Sequence, residues 1–191
     1  IEQRFPTPNY TRGRTDTVRW IVLHSSRSGI AGNDDWTATI NHFANDYPDE
    51  PNKRASSHLL VGLDGRVARF VADEDTAWHC GFCNPYTLGI EICQATADTP
   101  FTEAELVAGA QCVSRWRAKY GRIEVLGHED TPQGIQAHKS DPGPLFPWVR
   151  FMEMVNMEAT KEIELAFKRS QIAMIEATLR GEYQKVKDLA V

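Results

Sequence analysis

The sequence predicts an α/β fold, with a central mixed β-sheet flanked by helices and a helical C-terminal extension. Three observations carry that expectation. Short apolar β-rich runs alternate along the chain with stretches of helical spacing. An Asp-Gly pair joins two of the β-rich runs, the usual mark of a hairpin. Beyond residue 149, Pro and Gly disappear for some thirty residues, while apolar side chains recur mostly at three- and four-residue steps.

In chain order, "VRWIVLHSS" (18–26) is a buried strand that ends near His24, which puts an imidazole at a strand's carboxyl edge. "DDWTATINHFANDY" follows as a helix, with Asp34 or Asp35 as N-cap and Trp36, Ile40 and Phe43 on one face. "SSHLLVGLDGRVARFV" gives two strands around the turn "LDGR", and "TLGIEIC" gives another strand with one charge, Glu91. "FTEAELVAGAQCVSRWRAKYG" opens on a capping box, Thr102 and Glu105, buries Leu106, Ala110, Val113 and Trp116, and stops at Gly121. "IEVLGH" is a last short strand running into a segment too rich in Gly and Pro to be one helix. The terminal stretch, with Met152, Val155, Ala159, Ile163, Phe167, Ile175 and Leu179, reads as one or two helices stopped at Gly181. Residues 1–150 thus form one domain and 151–191 an extension, which lies on the domain, self-associates or acts as a stalk.

Composition narrows the function. A chain of 191 residues with 41% hydrophobic and 25% charged residues has the makeup of a soluble globular protein. Its formal charge of −5 and the lack of a basic cluster argue against a nucleic-acid partner. No apolar run is long enough to span a bilayer, and "IEQRFPTPNYTRGR" lacks the apolar centre of a secretory signal. Cys80 and Cys83 form a lone C-x-x-C, open to reading as half a zinc site, a redox pair, a local disulfide or two half-buried thiols.

Four of the six histidines, His24, His79, His128 and His138, fall at strand ends or in loops, where ligands and catalytic groups gather. A catalytic zinc takes three N, O or S ligands and keeps a fourth position open. His24, His128 and Asp141 would supply such a set, two imidazoles and one carboxylate. That set leaves enough positive charge to acidify water and polarise an amide carbonyl. Glu91 stands alone in an apolar strand, so burial should lift its pKa toward the range a general base needs.

The strings "WIVLHSS", "SSHLLVGLDGRVARFVADEDTAWHCG", "NPYTLGIEIC" and "LGHEDTPQGIQAHKSDPGPLFPW" occur in an order that resembles the zinc-dependent N-acetylmuramoyl-L-alanine amidases. That family includes phage endolysins and bacterial muropeptide amidases and, more distantly, the peptidoglycan recognition proteins. The resemblance covers roughly residues 17–150. It implies Zn²⁺ held by His24, His128 and Asp141, with Glu91 as acid/base and Lys139 stabilising the developing oxyanion. It also implies His79 and His58 along the substrate groove, and peptidoglycan or a muropeptide as substrate.

One departure accompanies the resemblance. "TPQGIQAHK" is longer than the corresponding passage of the family and brings in His138 as a rival ligand; "DPGP" next to Asp141 favours the aspartate. A single catalytic domain without a signal resembles a phage endolysin, held in the host cytoplasm until lysis and then acting on the wall. The alternatives are a cytosolic or autolytic bacterial muropeptide amidase and a non-catalytic peptidoglycan-binding module.

Overall fold

The computed structural model describes residues 2–27 and 34–189, the last nine as backbone only. A six-stranded mixed sheet has the order β1 (Glu2–Arg4), β5 (Val67–Arg69), β4 (Leu59–Val61), β7 (Thr87–Cys93), β3 (Trp20–Ser26), β8 (Glu124–Gly127). All neighbours are parallel except the β4–β5 hairpin, which turns through Asp64-Gly65 with Gly65 at φ 81°. The left-handed backbone there is the reason a glycine occupies the turn. β2 (Tyr10–Thr11) and β6 (Thr76–Ala77) pair separately as a small antiparallel ribbon.

One face of the sheet is covered along its central strands. α2 (Glu103–Tyr120) lays Leu106, Ala110, Val113 and Trp116 on Ile21, Leu23, Ile90 and Ile92 in the main core. Its start is the expected box: Thr102 Oγ1 accepts from Glu105 N at 3.2 Å, and Gly121 ends the helix at φ 83°. α4 (Trp148–Leu189) packs its first turns on α2, with Phe151 and Val155 completely covered. Gly109 makes this approach possible, since a Cβ there would lie 3.2 Å from Phe151.

The other face is covered only in patches. α1 (Trp36–Ala44) shields its β4–β5 end, where Trp36 and Phe43 pack on Leu60, Ala68 and Phe70. The two-turn 3-10 helix Gly81–Tyr86 shields the other end, packing Cys80 and Cys83 on Val22. All four cysteines are buried free thiols, which resolves the C-x-x-C as core. Between the two patches the carboxyl ends of β7, β3 and β8 stay open.

Two boundaries differ from expectation. Asp35 occupies the N-cap position of α1 in the left-handed region and makes no side-chain cap; Asp34 instead accepts from Trp36 N at 3.2 Å. α4 does not stop at Gly181 but runs on to Leu189 as a single helix. An interior glycine costs a helix only about 1 kcal/mol against alanine, and no proline follows to enforce an end. No helix among the described residues is long and apolar enough to cross a membrane.

Candidate metal and catalytic site

Strand register builds the site. β3 lies between β7 and β8, with His24 directly opposite Glu91 and Leu23 opposite Gly127. His128, the next residue after Gly127, therefore arrives level with His24. Three neighbouring parallel strands, spaced about 4.8 Å apart, thus present Glu91, His24 and His128 in a row at their carboxyl ends. A crevice beyond the carboxyl ends of parallel strands is where open α/β sheets bind ligands.

The segment 127–144 closes the row. Its first three residues after Gly127 form a 3-10 turn, and Pro132–Gln136 form the short helix α3, capped by Thr131, whose Oγ1 accepts from Gly134 N at 2.9 Å. The chain then returns, with Glu129 N donating to Asp141 O at 3.0 Å. Arg27 holds the returning loop by donating from Nη2 to the carbonyls of Ser140 and Pro142, each at 3.2 Å.

Asp141 Oδ2 consequently lies 3.0 Å from His24 Nδ1 and 3.2 Å from His128 Nδ1. Among the described residues this is the one group of its kind with donor atoms mutually within 4.8 Å. The spacing fits a metal ion: bonds of about 2.1 Å in a tetrahedral zinc site put neighbouring ligand atoms about 3.4 Å apart. Burial lowers the pKa of His24, so its imidazole is neutral, as a ligand must be. Burial alone would raise Asp141, but the two imidazole rings beside it, His128 and His24, outweigh burial and hold the carboxyl well below its usual range. The donor set is therefore two imidazoles and an anion.

Glu91 behaves in the opposite sense. Burial, and then the nearby charges of Asp141 and Asp35, raise its pKa well above the ordinary carboxyl value. Glu91 and Lys139 line the same cavity of about 520 Å³ as His24, His128 and Asp141. His138, by contrast, is exposed, sits in the left-handed region at φ 52°, and lies outside the cluster.

The two proposed groove histidines part company. His79 lines the cavity, and its ring packs edge-on against His24 with centroids 5.1 Å apart. His58 is completely buried behind the wall: its Nδ1 accepts from Gly89 N at 3.0 Å and its Nε2 lies 3.0 Å from Arg14 Nη2. Burial, followed by Arg14, depresses its pKa to about 3. Sequence inspection passes over Arg27 and Gln133, whose partners lie far along the chain or on a segment without periodicity. The extra length of the 127–144 passage was the one visible sign that something there supports His128.

Two imidazoles and a carboxylate that could hold one metal ion, with a buried glutamate beside them at a sheet edge, are the donor set and acid/base group that a metal-dependent hydrolase requires. A profile of the N-acetylmuramoyl-L-alanine amidase family matches residues 14–144, and the chain belongs to that family. Among curated relatives, the 1,6-anhydro-N-acetylmuramyl-L-alanine amidase AmpD of Salmonella typhimurium is 30% identical over 84% of this chain and 94% of its own length. AmpD of Enterobacter cloacae is 36% identical over 56% of this chain, a match spanning 61% of that relative. A crystal structure of a selenomethionine AmpD derivative superposes with a TM-score of 0.68 at 26% identity, covering 81% of this chain and 94% of that one. The endolysin amidase LysCS of Clostridium intestinale shares the fold, with a TM-score of 0.57 at 16% identity over 82% of this chain and 95% of its own. These similarities favour the muropeptide-amidase alternative over the endolysin expected from the sequence.

Proposed function

We propose that the chain is a bacterial muropeptide amidase that cleaves the amide between the lactyl group of a 1,6-anhydro-N-acetylmuramyl sugar and L-alanine of the stem peptide. The reading rests on one observation above the rest: His24, His128, Asp141 and Glu91 meet in a single cavity in a chain whose curated relatives carry that activity in their names. It places the enzyme in the cytosol, acting on soluble fragments, in preference to lysing a phage host. Residues 1–150 form the catalytic domain, and the extension 151–191 serves self-association through its exposed apolar side chains.

Zn²⁺ held by His24, His128 and Asp141 would polarise the scissile carbonyl and acidify the attacking water. Glu91, its pKa raised by burial, takes the proton of that water on its carboxylate and returns it to the departing amine nitrogen. Lys139, on the cavity rim, donates to the oxygen that gains negative charge in the tetrahedral transition state. His79 forms the wall beside His24 against which the sugar or the lactyl group rests.

Incubation with purified 1,6-anhydro-muropeptide and, separately, with intact walls tests the proposal. The expected result is free L-alanine amines from the soluble fragment, with little release from walls. Faster release from walls would favour an endolysin role. Binding without any new amine would favour a recognition module.

A further inference from the structure

We propose that His79 and Gln133 are positioning residues that fix the proton on Nε2 of His24 and of His128, so that both Nδ1 lone pairs face the Asp141 carboxylate and the cation it would share. The inference rests on His24, His128 and Asp141 being metal ligands and explains how this chain prepares them.

Hydrogen-bond bookkeeping gives the direction on the His24 side. Thr87 has one hydroxyl proton and donates it to Cys83 O at 3.0 Å, an acceptor that has no proton to give. Thr87 Oγ1 must therefore accept from His79 Nε2, 3.1 Å away. With its proton on Nε2, His79 presents a bare Nδ1, which lies 2.9 Å from His24 Nε2 and accepts from it. His24 is left with its lone pair on Nδ1, 3.0 Å from Asp141 Oδ2. On the other side Gln133 Oε1 lies 2.7 Å from His128 Nε2 and accepts there, leaving the His128 Nδ1 lone pair 3.2 Å from the same oxygen. Three lone-pair-bearing atoms then converge with no proton between them, an arrangement that a cation stabilises.

Both supports occupy space that glycines keep open. A Cβ at Gly89 would come within 2.7 Å of the His79 ring, and one at Gly81 within 2.8 Å of Gln133 Cγ. A Cβ at Gly134 would fall 1.7 Å from His128 O, so only glycine lets α3 lie on the backbone of the ligand it braces. The long passage after His128 thereby acquires a purpose: it delivers Gln133.

Zn²⁺ affinity, measured by competition with a chromophoric chelator in the absence of substrate, tests the assignment, with the visible spectrum of the Co²⁺-loaded protein as a second readout. Gln133→Met should weaken Zn²⁺ binding about 10- to 100-fold and shift the Co²⁺ bands, the usual cost of losing an outer-sphere partner. Gln133→Glu, whose carboxylate only accepts, should restore affinity to at least that of the wild type. Thr87→Val, two hydrogen bonds away from His24, should weaken binding by a smaller factor and shift the same bands. A folded Gln133→Met protein with wild-type affinity and spectrum overturns the inference, as does a Gln133→Glu protein as weak as Gln133→Met. Wild-type protein that takes up no stoichiometric Zn²⁺ overturns the metal-site reading beneath it, a different result from either.

Discussion

The open edge of the sheet and the far part of α4 treat exposed chemistry in opposite ways. At the edge, the ring nitrogens of His24, His79 and His128 all meet partners within the chain at 2.7–3.2 Å. Along α4, Ile163, Phe167, Met174 and Leu179 are between 63% and 71% exposed, and beyond Val155 no described residue of the helix is buried. The first region is complete within one chain and so is built for chemistry. The second leaves large apolar side chains exposed over several helical turns.

The comparison breaks most sharply through the metal. Chelation should abolish turnover and Zn²⁺ restore it, and His24→Ala or Asp141→Ala should hold substoichiometric zinc by elemental analysis. His138→Ala should keep both metal and most activity; if instead it strips the zinc while Asp141→Ala does not, the ligand set is wrong. Next in size, Glu91→Gln should retain zinc and fold while kcat falls by about 10² to 10⁴, the range for a positioned proton carrier. Lys139→Met should cost about 10² to 10³ in kcat, comparable with one oxyanion donor.

The helix should respond in the reverse pattern. A chain ending after residue 158 keeps Phe151 and Val155 and should turn over soluble muropeptide at the full-length rate, while any self-association seen by light scattering disappears. Loss of turnover in a folded, zinc-replete truncation would show that the extension completes the site. Cutting before Phe151 is another matter, since a buried phenylalanine alone is worth about 3–5 kcal/mol.

The smallest expected effect concerns Glu105, which does not line the cavity and does not belong to α4. Burial lifts its pKa to about 7, and its Oε1 finds no partner. Thr102 Oγ1 gives its proton to Leu63 O at 2.6 Å, so a protonated Glu105 donates to Thr102 across 2.8 Å. Between the ordinary carboxyl value of 4.5 and about 7 the folded state therefore holds a proton that the unfolded state has released. Stability from this group is present below that window and is lost as pH rises through it. Glu105→Gln should have a Tm advantage over wild type that grows from pH 4.5 to pH 7; a constant difference would argue against the raised pKa.

Much of the fold was legible because each central element carries a local signal: period in "TLGIEIC", a turn dipeptide at Asp64-Gly65, a cap at Thr102. β1, β2 and β6, with two or three residues each, are too short for any period and exist only through their partners. The convergence of His24, Glu91 and His128 followed from strand ends, since parallel strands align what terminates them. Gln133 and Arg27 were not legible: Arg27 bonds to carbonyls more than a hundred residues along the chain, and Gln133, though only five residues from His128, stands on a Gly- and Pro-rich segment that has no periodicity to place it. His58 looked like its neighbours and turned out to be an internal brace, a distinction that only burial makes.

Friction offers a last consequence of α4. At about 1.5 Å per residue, the stretch from Phe167 to Leu189, beyond the last turn that faces α2, is a rod about 35 Å long, attached to a domain whose radius of gyration is about 15 Å. A rod of that length drags through solvent out of proportion to its mass. A single copy will elute early from a sizing column and pass for a dimer, so only a method that weighs the particle directly can say how many chains travel together.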